Sequence, residues 1–347
     1  MNSEWQEFLH QQSAEIHHGV VHHFGQPTAE LDSAHDGTVL SDLSQFCLLK
    51  ISGDDAPDFL QNLLSSDVRQ VATQQFAQVS SLNSPKGRML ASFLMWCSGA
   101  DFFLQLPCSL CGAIQKRLSM YILRAKVTIT DVSEQHIVMG VSGQNAQPLL
   151  HQNFAALPLD NFAVKQHDHG CVIKLDPHRF LITTQLQFAP DLWQKLRAGA
   201  TPAGSNCWDW LNIRAGIPII LPVTQEQFVP QMANLDLIGG VSFKKGCYPG
   251  QEIVARMQYL GKLKRRMYLA HADNNMAPQP GDELFSADME QQASGMVVNA
   301  SPAPGGGYDL LAVIQISSRE SQSIHLKSVQ GARLDFLSMP YALPGTS

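Results

Sequence analysis

Long apolar runs and a secretory leader are both missing from this sequence. No stretch approaches the roughly 18 consecutive apolar residues that a membrane-spanning helix requires, so we expect no contact with a membrane. The N-terminal segment MNSEWQEFLHQQ carries acidic residues and no apolar core, which is not the pattern of a signal peptide. These two absences favour a cytoplasmic protein.

Positive charge is scarce as well, because 24 Lys and Arg residues face 30 Asp and Glu residues and the net charge is −6. Binding to nucleic-acid phosphates needs a positive field, so we expect no direct contact with DNA and do not expect contact with RNA. Charged residues make up only 16% of the chain against 44% hydrophobic residues, a composition typical of globular domains. The sequence also contains no G-x-x-x-x-G-K-[ST] loop and no dinucleotide fingerprint.

The seven cysteines do not form a disulfide pattern. Their number is odd and their spacing is irregular, so reduced thiols are the simpler interpretation in a cytoplasmic protein. Cys108 and Cys111 have the spacing of a redox pair at the start of a helix, but the usual Gly or Pro between the two cysteines is missing. We therefore favour an incidental pair there, and we predict no metal site in the chain.

The order of apolar segments in the first three quarters of the chain predicts an α+β protein. Residues 1–37 are expected to form an N-terminal helix, over residues 2–23, and a linker. Residues 38–257 are expected to form two interleaved units, about 38–135 and 136–257. Each unit has an order similar to β-α-β-β-α-β, the split unit of a ferredoxin-like layer, which suggests an internal duplication.

The character of the sequence changes after residue 265. Short strand-like segments are separated there by Pro, Gly and Asn, which is typical of a small antiparallel β-barrel. We place this C-terminal barrel at residues 262–345. The predicted strands are residues 267–272, 282–285, 294–300, 308–316 and 332–337.

The segment KGCYPGQE places Cys247 just before a predicted helix. Pro249 suits the first position of a helix, because its φ is fixed and its missing N–H has no partner there. The partial positive charge of a helix N-terminus, with Lys244 and Lys245 nearby, favours the thiolate of Cys247. This pattern is typical of a nucleophile, a redox thiol or a soft-metal ligand. A buried structural cysteine in a turn shaped by glycines is the alternative.

The same segment resembles the signature K-G-C-Y-x-G-Q-E of the YgfZ proteins and of their mitochondrial iron–sulfur assembly relatives. The similarity extends over residues 238–256, parts of 211–218 and the pair Lys86-Gly87, and we judge that it spans residues 38–345. It implies the fold of the glycine cleavage T-protein, an aminomethyltransferase. That fold is a three-domain ring of two ferredoxin-like units and a β-barrel around a central folate channel. The resemblance assigns the reactive thiol to Cys247, with support from Lys245, Gly246, Tyr248, Gly250, Gln251 and Glu252.

The resemblance also implies a tetrahydrofolate site with an aromatic wall. A pterin is a flat polar ring that needs an aromatic face and a few directed hydrogen bonds. The wall positions of the family fall on Trp208 and on Phe46, where the phenylalanine is a departure that keeps an aromatic face. Core packing is the alternative role for Trp208 and for Trp210.

Two departures from the T-protein pattern argue against ordinary aminomethyl transfer. The T-protein has an acid close to the folate, and the matching residues 90–93 contain none, so that general acid–base help is absent. Where the T-protein pattern has E-A-G, this sequence has Arg214-Ala215-Gly216. A guanidinium cannot accept the hydrogen bonds that a pterin donates, so the mode of pterin binding is open.

A basic run follows the signature, with no acidic residue from 253 to 272. It could bind the glutamyl tail of folate or RNA phosphates, or it could be a solvated linker into the barrel. We favour the linker over RNA and keep the glutamyl tail as an alternative. The basic residues are Arg256, Lys262, Lys264, Arg265 and Arg266.

The resemblance thus implies a tetrahydrofolate-binding accessory protein for the synthesis and repair of iron–sulfur enzymes, acting through Cys247. Its partners would be folate and client enzymes such as the tRNA methylthiotransferases. We lean against a classical enzyme activity. One alternative is a folate-dependent one-carbon transferase of the aminomethyl type, and another is a folate sensor that only binds client proteins.

Overall fold

The computed structural model describes residues 1–259, 261, 263–273, 276–289 and 292–344. The chain divides into two compact units. Unit 1 comprises Met1–Phe59, Val68–Gln78 and Leu94–Trp208, and unit 2 comprises Leu60–Asp67, Val79–Phe93 and Asp209–Ser347. The domain boundaries predicted near residues 37, 135 and 257 stay predictions, and positions 262 and 345 lie outside the described residues.

The helices and strands alternate through most of the described residues. The α-helices are α1 Ser3–Gln11, α2 Pro27–Asp36, α3 Ala56–Gln61, α4 Val68–Gln74, α5 Cys108–Ser119, α6 Ala146–His151, α7 Ala189–Arg197, α8 Ser205–Arg214, α9 Gln251–Tyr259 and α10 Ile316–Ser321. The strands up to α8 are β1 Glu15–His17, β2 Val20–His23, β3 Thr38–Asp42, β4 Phe46–Ser52, β5 Gln78–Asn83, β6 Met89–Ser98, β7 Asp101–Pro107, β8 Thr128–Asp131, β9 His136–Gly143, β10 Val164–His167, β11 Gly170–Asp176, β12 Arg179–Gln185 and β13 Thr201–Ala203. The strands after α9 are β14 Arg265–Ala272, β15 Glu283–Phe285, β16 Gly295–Pro302, β17 Tyr308–Gln315, β18 His325–Leu326 and β19 Leu334–Leu337.

The N-terminal segment differs from the single helix predicted over residues 2–23. Helix α1 ends at Gln11, and β1 and β2 form an antiparallel hairpin. The predicted linker over residues 25–37 contains α2, which begins at Pro27. The helical spacing of apolar residues continued past Gln11 by coincidence, whereas the β-branched residues of the hairpin favour strands. The prediction of one helix followed by a linker is therefore wrong.

The same segment belongs to a hydrophobic core of unit 1. Trp5 and Leu9 of α1 are fully buried, and they pack with residues of β9, β12 and α7. The indole rings of Trp5 and Trp193 meet edge to face at 5.8 Å. Trp5 Nε1 donates to Asp42 Oδ1 at 2.8 Å. The N-terminal residues are thus part of the α+β core of this unit.

The two N-terminal sheets repeat one strand order. One sheet has the order β5-β6-β7-β4-β8, and the other has the order β10-β11-β12-β9-β3-β13. In each sheet the first strand of the repeat, β4 or β9, pairs antiparallel with the last strand of a three-strand meander. The second sheet carries β3 as an inserted strand between β9 and β13. Each repeat has one strand more than the expected β-α-β-β-α-β order, and the internal duplication stays a prediction.

The C-terminal strands form a curled antiparallel half-barrel with the order β18-β15-β16-β17-β14-β19. The long strands β14, β16 and β17 pair over most of their length. Their inward residues form a second core of Val, Leu, Ile and Ala side chains. The mixed α+β architecture agrees with the sequence prediction. In the described part of the chain, no helix has both the length and the apolar character needed to cross a bilayer.

Candidate functional site

Cys247 lies in a loop of unit 2 that leads into α9, which we call the cysteine loop (residues 243–250). Gly246 and Cys247 are exposed. The residues on either side, Lys245 and Tyr248, are 8% and 6% exposed. Two buried anchors therefore hold a short exposed segment that presents the thiol to solvent.

Lys245 is one of these anchors. Its ammonium Nζ donates to the carbonyl oxygens of Leu64 at 2.5 Å and Ser66 at 3.0 Å. The same ammonium lies 5.1 Å from the centre of the Tyr248 ring. Hydrogen bonds from a charged donor are stronger than those between neutral groups. Lys245 thus ties the cysteine loop to the chain at residues 64–66.

Tyr248 is the second anchor, and its hydroxyl is unusual. The Oη atom is buried and has no hydrogen-bond partner among the described residues. Burial raises the pKa of Tyr248 to about 12, so the phenol stays protonated at neutral pH. A buried hydroxyl without a partner is unfavourable unless water or a bound molecule satisfies it. The Tyr248 hydroxyl is therefore available as a donor to a further group.

Gly250 and Gly87 lie in distant parts of the sequence that both resemble the family, and in the structure they are in direct contact. Both glycines have left-handed backbones, with φ of +78° and +71°. A Cβ atom on Gly250 would lie 2.5 Å from Gly87 Cα and 2.5 Å from Ser84 O, and a Cβ on Gly87 would lie 2.9 Å from Ile253 Cβ. The turn at residues 84–87 therefore packs directly on the start of α9. The helix begins at Gln251, which is two residues later than the position predicted for Pro249.

Gln251 and Glu252 begin α9, the first partly buried and the second exposed. The carbonyl of Gly250 accepts the first helical hydrogen bond, from Val254 N at 3.2 Å. Cys247 lies four residues before the helix. The structure thus brings the whole predicted signature into one loop and helix start.

The predicted pterin wall residues belong to unit 1. Trp208 is 2% exposed, and a Cβ atom on Gly140 would lie 2.3 Å from its ring, so the indole packs on the backbone of β9. The guanidinium carbon of Arg179 lies 5.8 Å from the centre of that indole. This environment favours core packing for Trp208.

Phe46 is only half-buried at the start of β4. It lines a cavity of about 30 Å³ together with Trp5 and Asp42, which is enough space for about one water molecule. Burial raises the pKa of Asp42, and hydrogen bonds from Ser44 and Trp5 oppose that rise. Of the two wall positions, Phe46 is the less buried residue.

Arg214, the departure from E-A-G, has a partner that the sequence did not reveal. Its Nη1 lies 3.4 Å from Asp309 Oδ2, which also accepts from Trp210 Nε1 at 2.9 Å. The other oxygen of Asp309 lies 2.9 Å from His271 Nδ1. Asp309 and His271 face each other in the β14–β17 register, a pairing that separate strand predictions do not specify. Asp309 therefore neutralises Arg214, and Trp210 packs as a buried hydrogen-bond donor.

The predicted basic run does not form one cationic surface. Arg266 is buried and makes a bidentate ion pair with Asp236, at 2.7 Å and 3.0 Å. Arg256 and Lys264 are exposed, whereas Lys262 lies outside the described residues. Arg266 is therefore a structural residue rather than a free cation for a glutamyl tail.

The sequence predicted that the cysteines are reduced thiols, and this prediction is wrong for two of them. Cys47 of β4 and Cys111 of α5 form a disulfide, with their Cα atoms 6.2 Å apart. The packing of α5 beside β4 brings the two residues within the usual Cα separation of a disulfide. Burial raises the pKa of Cys108 and of Cys171 to about 11, so both stay protonated at neutral pH. Among the described residues, no group of three His, Cys, Asp or Glu side chains is arranged to hold a metal.

Comparisons with known proteins agree with the resemblance of the signature. Residues 12–175 match the model of the GCVT N-terminal domain, so the match begins earlier than the expected residue 38. The chain is 31% identical to the "tRNA-modifying protein YgfZ" of Shigella sonnei over 92% of this chain and 97% of that protein. It is also 31% identical to the protein of the same name from Enterobacter sp. strain 638, over 91% and 97%. Aminomethyltransferase T from Bartonella henselae superposes with a TM-score of 0.80 at 16% identity, over 98% and 97% of the two chains, which shows a shared fold.

Proposed function

The chain belongs to the YgfZ family, and from this premise we propose that it is a cytoplasmic, tetrahydrofolate-binding accessory protein for iron–sulfur enzymes that modify tRNA. The observation that carries the proposal is the exposed Cys247 between two buried anchors in the family signature. A thiol is a soft ligand and a nucleophile, which suits contact with iron or sulfur of a client cluster. The clients we propose are the tRNA methylthiotransferases.

Some residues of the chain position the cysteine loop, and Cys247 makes the proposed contact with the client. Lys245 and Tyr248 hold the loop, and the Gly87–Gly250 contact fixes where the loop joins α9. Cys247 Sγ is the atom that we assign to the client's cluster or to its sulfur. The anchors of the loop are thus buried, while the thiol itself stays exposed.

Tetrahydrofolate would supply a carrier for one-carbon groups, and the residues of this chain fit it in part. Phe46 is half-buried, although the cavity that it lines is too small for a pterin, and the GCVT-like fold supports folate use. Trp208 has almost no accessible surface, so we assign it to packing. We therefore place the pterin wall at Phe46.

The second candidate, aminomethyl transfer, has less support. Residues 90–93 lie in β6 and are all buried. Ser92 Oγ donates to Pro218 O at 2.9 Å and accepts from Ile220 N at 3.0 Å, which is a structural role. No carboxyl group stands in this segment to move a proton. An accessory function through Cys247 explains these residues better than a transferase.

Replacing Cys247 by serine tests the proposal. In a strain that lacks the protein, we expect Cys247→Ser to restore methylthiolated tRNA at least about tenfold less well than wild type, because a serine hydroxyl is a weaker nucleophile than a thiol and is not a soft ligand. Cys108→Ser is the matched control, since Cys108 is also an exposed cysteine but lies outside the signature, and it should restore wild-type levels. Methylthiolated nucleosides are measured by mass spectrometry of digested tRNA. Full restoration by Cys247→Ser would refute a role for the thiol.

Folate binding is tested by calorimetric titration with tetrahydrofolate. We expect saturable binding by wild type and about tenfold weaker binding by Phe46→Ala, because stacking on an aromatic ring contributes about 1–3 kcal/mol. Phe188→Ala, another half-buried phenyl of unit 1, should bind as wild type does. Absence of any saturable heat in wild type removes the ligand from the proposal. Equal affinity of Phe46→Ala and wild type removes Phe46 from the pterin wall.

A further inference from the structure

Unit 1 exposes three large apolar side chains within four consecutive residues, directly after α5. Met120, Tyr121 and Leu123 are 61%, 38% and 90% exposed. Single apolar residues on a surface are ordinary, but a cluster of them marks a contact surface. We call these three residues the apolar tip.

The apolar tip is held in a fixed conformation. The backbone N–H groups of residues 120, 121, 122 and 125 donate to the carbonyls of residues 116, 118, 119 and 122, at 2.7–3.3 Å. Leu123 has a φ of +46°, in the left-handed region that is unfavourable for a residue with a branched side chain. Such a conformation persists only where the surrounding structure imposes it, and it is frequent at binding surfaces. The exposure of Leu123 is therefore a property of an ordered turn.

Basic residues flank the tip in the sequence. The sequence has no acidic residue between Asp101 and Asp131, and it carries Lys116, Arg117, Arg124 and Lys126 in that interval. Lys116 and Arg124 are exposed. Lys126 Nζ lies 3.5 Å from Asp54, but both side chains are more than three-quarters exposed, so that ion pair is weak. Asp55 Oδ2 also accepts from Lys126 N at 2.7 Å, so two carboxylates lie beside Lys126. The positive charge next to the tip is therefore that of Lys116, Arg117 and Arg124.

We propose that the apolar tip docks into an apolar pocket, rimmed by carboxylates, on the client enzyme; this rests on the proposed function, which supplies the client. Tyr and Arg are enriched among the residues that dominate protein interfaces, and Met adapts its shape to a partner. The positive rim matches a negative pocket edge and speeds encounter. An RNA partner would use the cations and Tyr121, but it would leave Met120 and Leu123 without a role. A protein pocket accounts for all of these features.

Leu123→Asn separates binding from folding. Asparagine tolerates the left-handed region better than leucine does, so this variant should fold at least as well as wild type. We expect its affinity for a purified tRNA methylthiotransferase of the same organism to fall at least about tenfold, because the most exposed apolar contact is lost. Leu159→Asn is the matched control, since Leu159 is 81% exposed elsewhere in unit 1, and its affinity should equal that of wild type. Calorimetric titration gives the affinities, and thermal melting verifies the folding.

The outcomes distinguish this inference from the proposed function. Wild-type affinity of Leu123→Asn, or no binding by wild type, overturns docking through the tip. If total tRNA binds to wild type and loses binding to Leu123→Asn, the tip is an RNA surface and the protein pocket is wrong. Failure of Cys247→Ser in the strain assay, combined with full activity of Leu123→Asn, would retain the proposed function and remove the docking surface.

Discussion

Gly250→Ala is expected to displace the cysteine loop and to abolish restoration of methylthiolated tRNA. The φ of +78° is strained for any residue with a Cβ atom, and the new methyl group would lie 2.5 Å from backbone atoms of Ser84 and Gly87. Backbone atoms in a packed turn cannot move away as a flexible side chain can. Strain and overpacking together should lower the free energy of unfolding by about 2–5 kcal/mol. Urea unfolding, with the strain assay in parallel, measures both effects.

Gly246→Ala is the matched control for stability. It lies in the same loop, but a Cβ atom there meets nothing within 4 Å, and its φ lies outside the left-handed region. We expect its free energy of unfolding to stay within about 0.5 kcal/mol of wild type. If Gly250→Ala were as stable as Gly246→Ala, the close contact with the turn at residues 84–87 would be wrong.

The Gly87–Gly250 contact is a feature of the site that the sequence did not predict. The sequence identified Gly250 as a position that permits close approach, and the signature matched Lys86-Gly87. Neither observation revealed that the two glycines touch, because their contact joins parts of the chain that are far apart in sequence. The environment of Lys245 was not predicted either. It was predicted as positive charge near the thiol, whereas its burial and its two carbonyl acceptors depend on residues 64–66.

The strands of the fold were predicted better than its N-terminus and its pairing. Short segments separated by Pro, Gly and Asn predicted β14, β15, β16, β17 and β19 to within two residues at each end, because such turn residues mark where strands stop. The N-terminal hairpin was missed, since its strands have only three and four residues. The insertion of β3 between β9 and β13 was also not predicted. The β3–β13 pair is parallel and joins residues 38–42 with 201–203, so local propensity does not encode it.

Asp236→Asn should destabilise unit 2 by about 3–5 kcal/mol, because it leaves the guanidinium of Arg266 buried without its counter-charge. The two side chains are 10% and 7% exposed and meet through two hydrogen bonds, at 2.7 Å and 3.0 Å. Asparagine keeps the shape of aspartate but replaces one acceptor by a donor, which faces another donor. The midpoint of urea unfolding measures the loss. Asp58→Asn is the control, since its ion pair with Arg69 is 3.5 Å long and mostly exposed, and it should change stability by at most about 1 kcal/mol.

The double variant Asp236→Leu with Arg266→Met decides whether the pair itself or the uncompensated charge matters. A buried ion pair replaced on both sides by apolar residues of similar volume often costs little, whereas removal of one partner is expensive. We therefore expect the double variant to be more stable than Asp236→Asn. We also expect its loss of stability to be much smaller than the summed losses of Asp236→Leu and Arg266→Met measured singly. Additive losses would mean that Arg266 acts independently of Asp236.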